Sequence, residues 1–432
     1  MRQKSRVVAL CLLAALAGAS LASASGYGLF QHGARATGQA GAFTARASDP
    51  TAVTYNPAAI TQLNGVQLQA GLDFNNATDD YSSATGEFGA RHIIQFPVAV
   101  YLTWKQKSGP FALGLGLDSP FYYSLDWNPV LFPGRFTERR TEVRIYEVHP
   151  VLAYDLGDGW SVGGGIRYGF GNLDRDVNGL ATIAAGPVGG PVTPVTVEVQ
   201  RNASANATGY GWDLGVHYKA PAWGWGAVYR SSEKLEGAGD VKYKPRDVPA
   251  VPGLDAALGA LFATGRARQS FEIPQEARGG IWYAPYPELR IELDASFQNW
   301  SSFGPTNTTY SPNPLHPGTQ TETVARDWKN TTNLRLGVEG NVTDNFLLFG
   351  GVAREQSPLR RETVAPDFVR GDATVYGGGF SVELTQISFD LSYTYHQMDS
   401  VGVSNQELQH PGRNGSYSSR DQVWGASVRW RF

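Results

Sequence analysis

From Val66 onward the chain alternates apolar and polar side chains with a period of two, as strands with two unlike faces do. In the first such segment Val66, Leu68, Ala70, Leu72 and Phe74 share one face, while Gln67, Gln69, Gly71 and Asp73 share the other. The pattern recurs along Phe96, Val98, Val100, Leu102 and Trp104, and again along Trp160, Val162, Ile166, Tyr168 and Phe170. Between Leu289 and Trp300 the second face carries Arg290, Glu292, Asp294, Ser296 and Gln298, too many charged and polar groups for the interior of a sandwich. Fourteen segments repeat the alternation, starting near Val66, Phe96, Phe111, Val143, Trp160, Tyr210, Trp223, Arg278, Leu289, Leu334, Phe346, Val375, Ile387 and Val423; the one at Val143 is the least regular.

Their connections alternate long and short, the short ones including Lys105 to Pro110, Asp155 to Gly159, Lys219 to Ala222, Ala284 to Glu288 and Thr343 to Asn345. An even strand number with short turns at one end and long loops at the other predicts an all-β fold: a 14-stranded antiparallel transmembrane β-barrel over residues 65–432, with both mature ends on the periplasmic side. No later stretch is apolar enough for a spanning helix, so residence in a membrane requires such a closed sheet. The last strand places Trp424, Ala426, Val428, Trp430 and Phe432 on one face, and its aromatic terminus resembles the signal read by the barrel assembly machinery.

Composition agrees. The 432 residues include 51 Gly, 11 Trp, 20 Tyr and 20 Phe, with a mean hydropathy of -0.27, as expected of two-faced strands. A formal charge of -3 excludes a strongly basic nucleic-acid footprint. At the front, Arg2, Lys4 and Arg6 precede an apolar run from Val7 to Leu16 and then Ala22-Ser23-Ala24, which predicts a signal peptide over residues 1–24. The single cysteine, Cys11, lies inside it, so the mature chain is expected to have no disulfide. No nucleophile elbow, zinc helix, phosphate loop or dinucleotide turn occurs, and the seven histidines lack ligand spacing. No cofactor or metal is implied. Arg370-Gly371-Asp372 reads as a plain loop turn rather than an adhesion motif.

Residues 25–64 have no strand alternation yet contain Leu29, Phe30, Phe43, Val53 and Ile60, more apolar groups than a solvated tail carries. A plug inside the lumen is the expectation. Here the chain resembles the FadL family of outer-membrane transporters for long-chain fatty acids and other hydrophobic compounds. The resemblance rests on Gly26-Tyr27-Gly28-Leu29-Phe30, Gly33-Ala34-Arg35-Ala36, Asp49 and Tyr55-Asn56-Pro57-Ala58. It continues through Trp127, Gly134-Arg135-Phe136, Gly209 to Gly215, Tyr229-Arg230-Ser231 and Ser357-Pro358, and so covers nearly the whole mature chain. It implies a monomeric barrel in the Gram-negative outer membrane, a plug or hatch occluding the lumen, and passive uptake of apolar ligands that leave sideways through the wall. Gly38, Gly41, Asn56, Pro57 and Ala58 are then the candidate gate, glycine supplying backbone freedom and Asn56-Pro57 a fixed turn.

Candidate ligand contacts follow the same logic. Leu254, Leu258, Leu261 and Phe262 recur at helical spacing in a long outer loop. By resemblance they form one wall of a capture groove, with Leu180 and Ile183 as the facing wall and Phe30 in the hatch as a further apolar contact; the competing reading is a short loop helix that packs on its own barrel. A ligand carboxylate needs a cationic partner once it leaves water, for which lumen-facing Arg167, Arg290 and Arg335 are candidates. The competing reading pairs them with Glu292, Asp294 and Glu339. The other function classes are an outer-membrane lipid enzyme with residues drawn from separate strands, and a general porin or adhesin.

Overall fold

The computed structural model describes residues 32–128, 130–187, 190–312, 318–404 and 414–432. Within them the alternating segments form one antiparallel sheet that closes on itself. The wall strands are β1 (Gly65–Ser83), β2 (Ile94–Gln95 and Val98–Lys105), β3 (Phe111–Asp126), β4 (Arg140–Gly157), β5 (Trp160–Ala185), β6 (Thr193–Lys219) and β7 (Trp223–Arg230, resuming as Glu233–Arg246). They continue with β8 (Gly265–Ile273 and Glu276–Tyr286), β9 (Leu289–Gln298), β10 (Thr331–Thr343), β11 (Phe346–Glu355), β12 (Ala373–Glu383), β13 (Ile387–Met398) and β14 (Gly415–Arg431). The seam joins β1 to β14, from Gln67 opposite Arg431 to Ser82 opposite Ser416. Closure leaves no unpaired edge in hydrocarbon. Thirteen of the fourteen segment starts expected from the alternation fall in their own strands, and Phe96 sits at the break within β2.

Burial follows residue parity. Leu113, Leu115, Leu152, Ile166, Leu214 and Leu293 are exposed on the outside. That is where a lipid-facing band belongs. Two aromatic rings bound the band. At the short-turn end Phe111 packs on Tyr154 (5.1 Å between ring centroids) and Trp160 on Tyr218 (4.9 Å). At the loop end Tyr146 meets Phe170 (5.9 Å) and Tyr168 meets Tyr210 (5.0 Å). The tight turn between β4 and β5 uses Gly157, Asp158 and Gly159, all at positive φ (84°, 52° and 84°), which glycine and aspartate adopt at least cost.

Two features depart from a regular barrel. Strands β5 to β8 run well past the outer aromatic ring, and helix α3 (Leu254–Leu261) sits on this extension. The alternation from Tyr210 marks only the membrane part of β6, because polar and small residues such as Asn202, Ser204 and Asn206 replace the apolar outward face beyond it. The second departure lies in β3: Asp118 pairs with Glu147 and Phe121 with Ile145, so Ser119 and Pro120 together face Tyr146 alone. This bulge, with a proline that has no N–H to give the ladder, inverts the parity of β3. Leu113, Leu115 and Leu117 point to lipid below it, whereas Phe121, Tyr123 and Leu125 are buried above it.

Candidate functional site

The segment before β1 folds as α1 (Ala34–Gly38), α2 (Ala52–Tyr55) and a 3-10 turn (Pro57–Gln62), nearly all of it buried. Its bonds reach the wall on opposite sides. Arg35 forks onto Glu339 of β10 (3.0 and 2.8 Å), and Arg46 lies 3.2 Å from the same carboxylate. Asp294 accepts from the backbone N–H groups of Phe43 and Thr44 (2.9 and 2.8 Å), and Glu292 from Ala45 and Arg46 (2.7 and 3.1 Å). Two successive pairs of amides thus replace water around two buried carboxylates. Across the lumen, Thr54 donates to Asp118 (2.7 Å), and Phe43, Val53, Tyr55 and Ile60 pack with Tyr101 and Val151. A segment tied to β3, β9 and β10 at once occupies the barrel interior.

Asn56 holds the turn and the wall together. Its Oδ1 accepts from Ala58 N (3.2 Å), while Nδ2 donates to Thr44 O and to Val216 O of β6 (3.2 Å each). Wall glycines make room for it, since a Cβ on Gly215 would lie 2.5 Å from Asn56 Oδ1 and one on Gly163 2.8 Å from the Pro57 carbonyl. Asn56→Ala removes a cap of about 1 kcal/mol and leaves buried carbonyls without donors. We expect it to raise the uptake rate while leaving ligand affinity unchanged, measured by paired whole-cell uptake and binding on purified protein. An uptake change explained entirely by affinity would count against a gating role.

Above this segment the lumen holds a large aromatic cluster, edged by the buried ion pairs Arg326–Asp367 (2.5 Å) and Arg370–Asp421 (2.7 Å). Tyr81, Tyr123, Trp127, Phe132, Trp300, Phe303, Trp328, Phe368 and Tyr417 form one buried cluster with Ile145, Leu173, Leu235 and Phe271. Trp127 stacks on Phe132 (4.5 Å, 11°), and Phe303 on Trp328 (4.8 Å, 26°). The 3-10 turn Pro133–Phe136 links the cluster to a cavity of about 330 Å³ farther out. Phe136, Val177, Leu180, Val199, Tyr243 and Phe262 line that cavity, together with Arg201 and Glu322. Arg201 and Arg175 both hold Glu322, the latter at 2.8 Å. Burial would raise the Glu322 carboxyl, but these two guanidinium groups keep it below the usual carboxylate range.

The family model for outer membrane protein transport proteins (OMPP1/FadL/TodX) matches residues 15–432. The chain belongs to this family. A search among curated proteins returned no match. Among solved structures, a Pseudomonas aeruginosa FadL homologue is 20% identical with a TM-score of 0.80, covering 94% of this chain and 100% of its own. The Ralstonia pickettii toluene transporter TbuX is 17% identical (TM-score 0.67) and the P. putida toluene transporter TodX 14% identical (TM-score 0.73), each covering 94% of this chain and 99% of its own. The fold is therefore that of a FadL/TodX-type outer-membrane channel for hydrophobic compounds.

In this FadL-family chain the candidate residues separate into groups. Leu180 and Phe262 reach the outer cavity, Leu180 being 67% exposed. Leu254 and Leu258, only 1% and 5% exposed, pack with Ile183, Ala185 and Val197 and anchor α3 to the β5–β6 extension instead of lining an open groove; Leu261 is half-buried beside them. Arg167 is paired with Glu147 (3.2 Å) and Glu233 (3.4 Å), and Arg335 with Glu355 (3.2 Å). Arg290 pairs with Glu339 (3.2 Å) at the periplasmic mouth. All three are remote from the outer cavity and already neutralised by wall carboxylates. Gly38 ends α1, and a Cβ there would lie 2.4 Å from the Phe349 ring, so it supplies room rather than a hinge; Gly41, at φ +80°, does turn the chain. Arg370 of the Arg-Gly-Asp tripeptide is tied to Asp421 (2.7 Å). Phe30 and the predicted signal peptide lie outside the described residues. The aromatic cluster and Arg201 are what the sequence reading misses, and the matches at Trp127 and Gly134-Arg135-Phe136 were its only pointers.

Proposed function

We propose that the protein takes up long-chain fatty acids or related hydrophobic compounds without energy input. Ligand is captured in the cavity under Phe262, passes along the aromatic cluster, and leaves through the wall at the β3 bulge once the hatch shifts. The observation that carries this reading is the continuous aromatic cluster in the outer half of the lumen. A channel for hydrophilic solutes gains nothing from it, whereas an acyl chain stays out of water along its length at about 0.8 kcal/mol per buried methylene. The bulge is the favoured exit because the hatch leans on it: Asp118, just before Ser119, holds Thr54 and lies 3.6 Å from His32. The ladder is also interrupted at Ser231–Ser232 opposite Pro274–Gln275, but there Arg167 bonds to Ser231 O (2.7 Å) and fills the gap. An acid is favoured over a neutral hydrocarbon because Arg201 and Arg175 already hold one carboxylate at the cavity, the arrangement a ligand headgroup would take over.

Two substitutions separate these elements. Phe262→Ala should raise the half-saturating concentration about tenfold, for a fatty acid and its methyl ester alike, by removing apolar contact. Arg201→Gln should do so for the acid alone. The barrel should assemble normally in both, since the cavity lies beyond the membrane band. Unaltered uptake by both variants at limiting ligand would dismiss this cavity as the capture site. Similar handling of acid and ester by Arg201→Gln would leave the cavity in place and remove the preference for acids.

A further inference from the structure

The outer wall above the bulge carries charge that transport does not use. Pairing sets Tyr122, Ser124 and Asp126 of β3 opposite Arg144, Glu142 and Arg140 of β4, with Gln200 of β6 opposite Lys244 of β7 farther round. Their odd-numbered neighbours Tyr123, Leu125, Val143 and Ile145 belong to the lumen cluster, so these even-numbered side chains face outward. On the same face, Tyr146, Tyr168, Phe170 and Tyr210 form the outer aromatic ring. At about 3.3 Å per residue, Arg144 stands roughly 7 Å beyond Tyr146, at the depth of lipid headgroups.

A cleft of about 590 Å³ opens at this level, lined by Arg91, Arg139, Arg140, Arg144, Lys244 and Arg246 against only Asp126 and Glu142. Arg139 is engaged by Asp126 (2.6 Å) and by Asp176 behind it. Arg140 (2.6 Å) and Arg144 share Glu142 between them. Arg246 donates to the neutral amide of Gln200 (3.0 Å) and stands opposite Glu198 in the ladder, a carboxylate that Arg135 already holds (3.0 Å). The cleft thus holds a surplus of cations in a confined space, including guanidinium forks suited to phosphate oxygens.

We propose that this cleft binds the phosphorylated headgroup of an outer-leaflet glycolipid. A soluble anion would find the charge equally well, but the position selects a membrane-anchored one. The cleft faces outward just past the aromatic ring, so a lipid whose phosphate enters it lays its acyl chains on the apolar wall below, including Val148 and Ile166. The proposal rests on the barrel's residence in the outer membrane and is independent of what the lumen carries. It also seats a lipid against the β3–β4 wall that contains the bulge.

The test uses full-length protein in detergent, titrated with bisphosphorylated lipid A, with dephosphorylated lipid A and with inorganic phosphate, bound species being read by native mass spectrometry. Wild-type protein should retain the bisphosphorylated lipid at least about tenfold more tightly than the dephosphorylated one, and lose that preference as salt is raised. The Lys244→Gln/Arg246→Gln variant, chosen because neither side chain leaves a carboxylate stranded, should abolish the preference while keeping the heat-modifiable gel shift of a folded barrel. Equal retention of the two lipids by wild-type protein overturns the proposal however the variant behaves. So does an undiminished preference in the folded variant. Displacement of the lipid by an equal concentration of inorganic phosphate would reassign the cleft to a free anion.

Discussion

Excising residues 25–64 should leave the barrel almost as resistive to ions as before, and a steady current should appear only when Trp300→Ser and Trp328→Ser are added. The expectation follows from two barriers in series. The hatch fills the inner half of the lumen, but its removal leaves the aromatic cluster of the outer half untouched, with Trp300 and Trp328 at most 2% exposed. An apolar constriction excludes ions by dewetting even when no atom blocks the axis. Each tryptophan truncation costs about 3–5 kcal/mol of packing in the loops, not in the ladder, so the wall should survive. With both barriers gone, Glu292, Asp294 and Glu339 lose Arg35, Arg46 and four backbone amides as partners, and the open pore should favour cations. Planar-bilayer recording of the two deletion proteins decides this. Full conductance from hatch excision alone would show that the cluster is no barrier, and a resistive triple change would show that something else closes the lumen.

Deleting Pro120 alone should abolish uptake while capture at the outer cavity persists. The bulge sets two residues of β3 against one of β4, so loss of a single residue restores one-to-one pairing from Asp118–Glu147 to Phe121–Ile145. No downstream side chain changes face, because Phe121 keeps its partner; the repaired ladder also lacks the residue that had no N–H to contribute. Barrel stability should therefore hold or rise, which separates a closed exit from a misfolded wall. Thermal unfolding, ligand binding and cell uptake measured on the same variant give the answer. Normal uptake through a continuous β3–β4 ladder would place the exit elsewhere.

How much of this is legible in the sequence depends on whether a property is periodic. Strand positions and the outward face are, because lipid demands an apolar residue at every second place, and Leu289 to Trp300 shows this plainly. The hatch is legible from apolar residues where alternation is missing. The length of β5 to β8 is not, because outside the membrane both faces turn polar. Nor is the aromatic cluster: Trp127, Trp300, Trp328 and Phe368 come from loops, and Tyr123 and Leu125 point inward only because one extra residue at Ser119–Pro120 inverts the parity. Face does not name a partner either. Arg167 and Arg335 do point into the lumen, but only distances show that wall carboxylates already hold them. The role of the charged face of β9 is likewise hidden, because Glu292 and Asp294 bind hatch backbone, which no side-chain pattern reveals.

The seam between β1 and β14 is where the wall closes. The wall is not a ring until the last strand pairs with the first, and Phe432 donates its N–H to Val66 at the very end of the zipper. The hatch is joined to β1 and contacts both sides of the join, Ala34 N donating to Ser427 of β14 (3.3 Å) while Gly33 lies against Gln69 of β1. The segment that obstructs the lumen is thus also a clasp, bridging the first and last strands from inside where they meet.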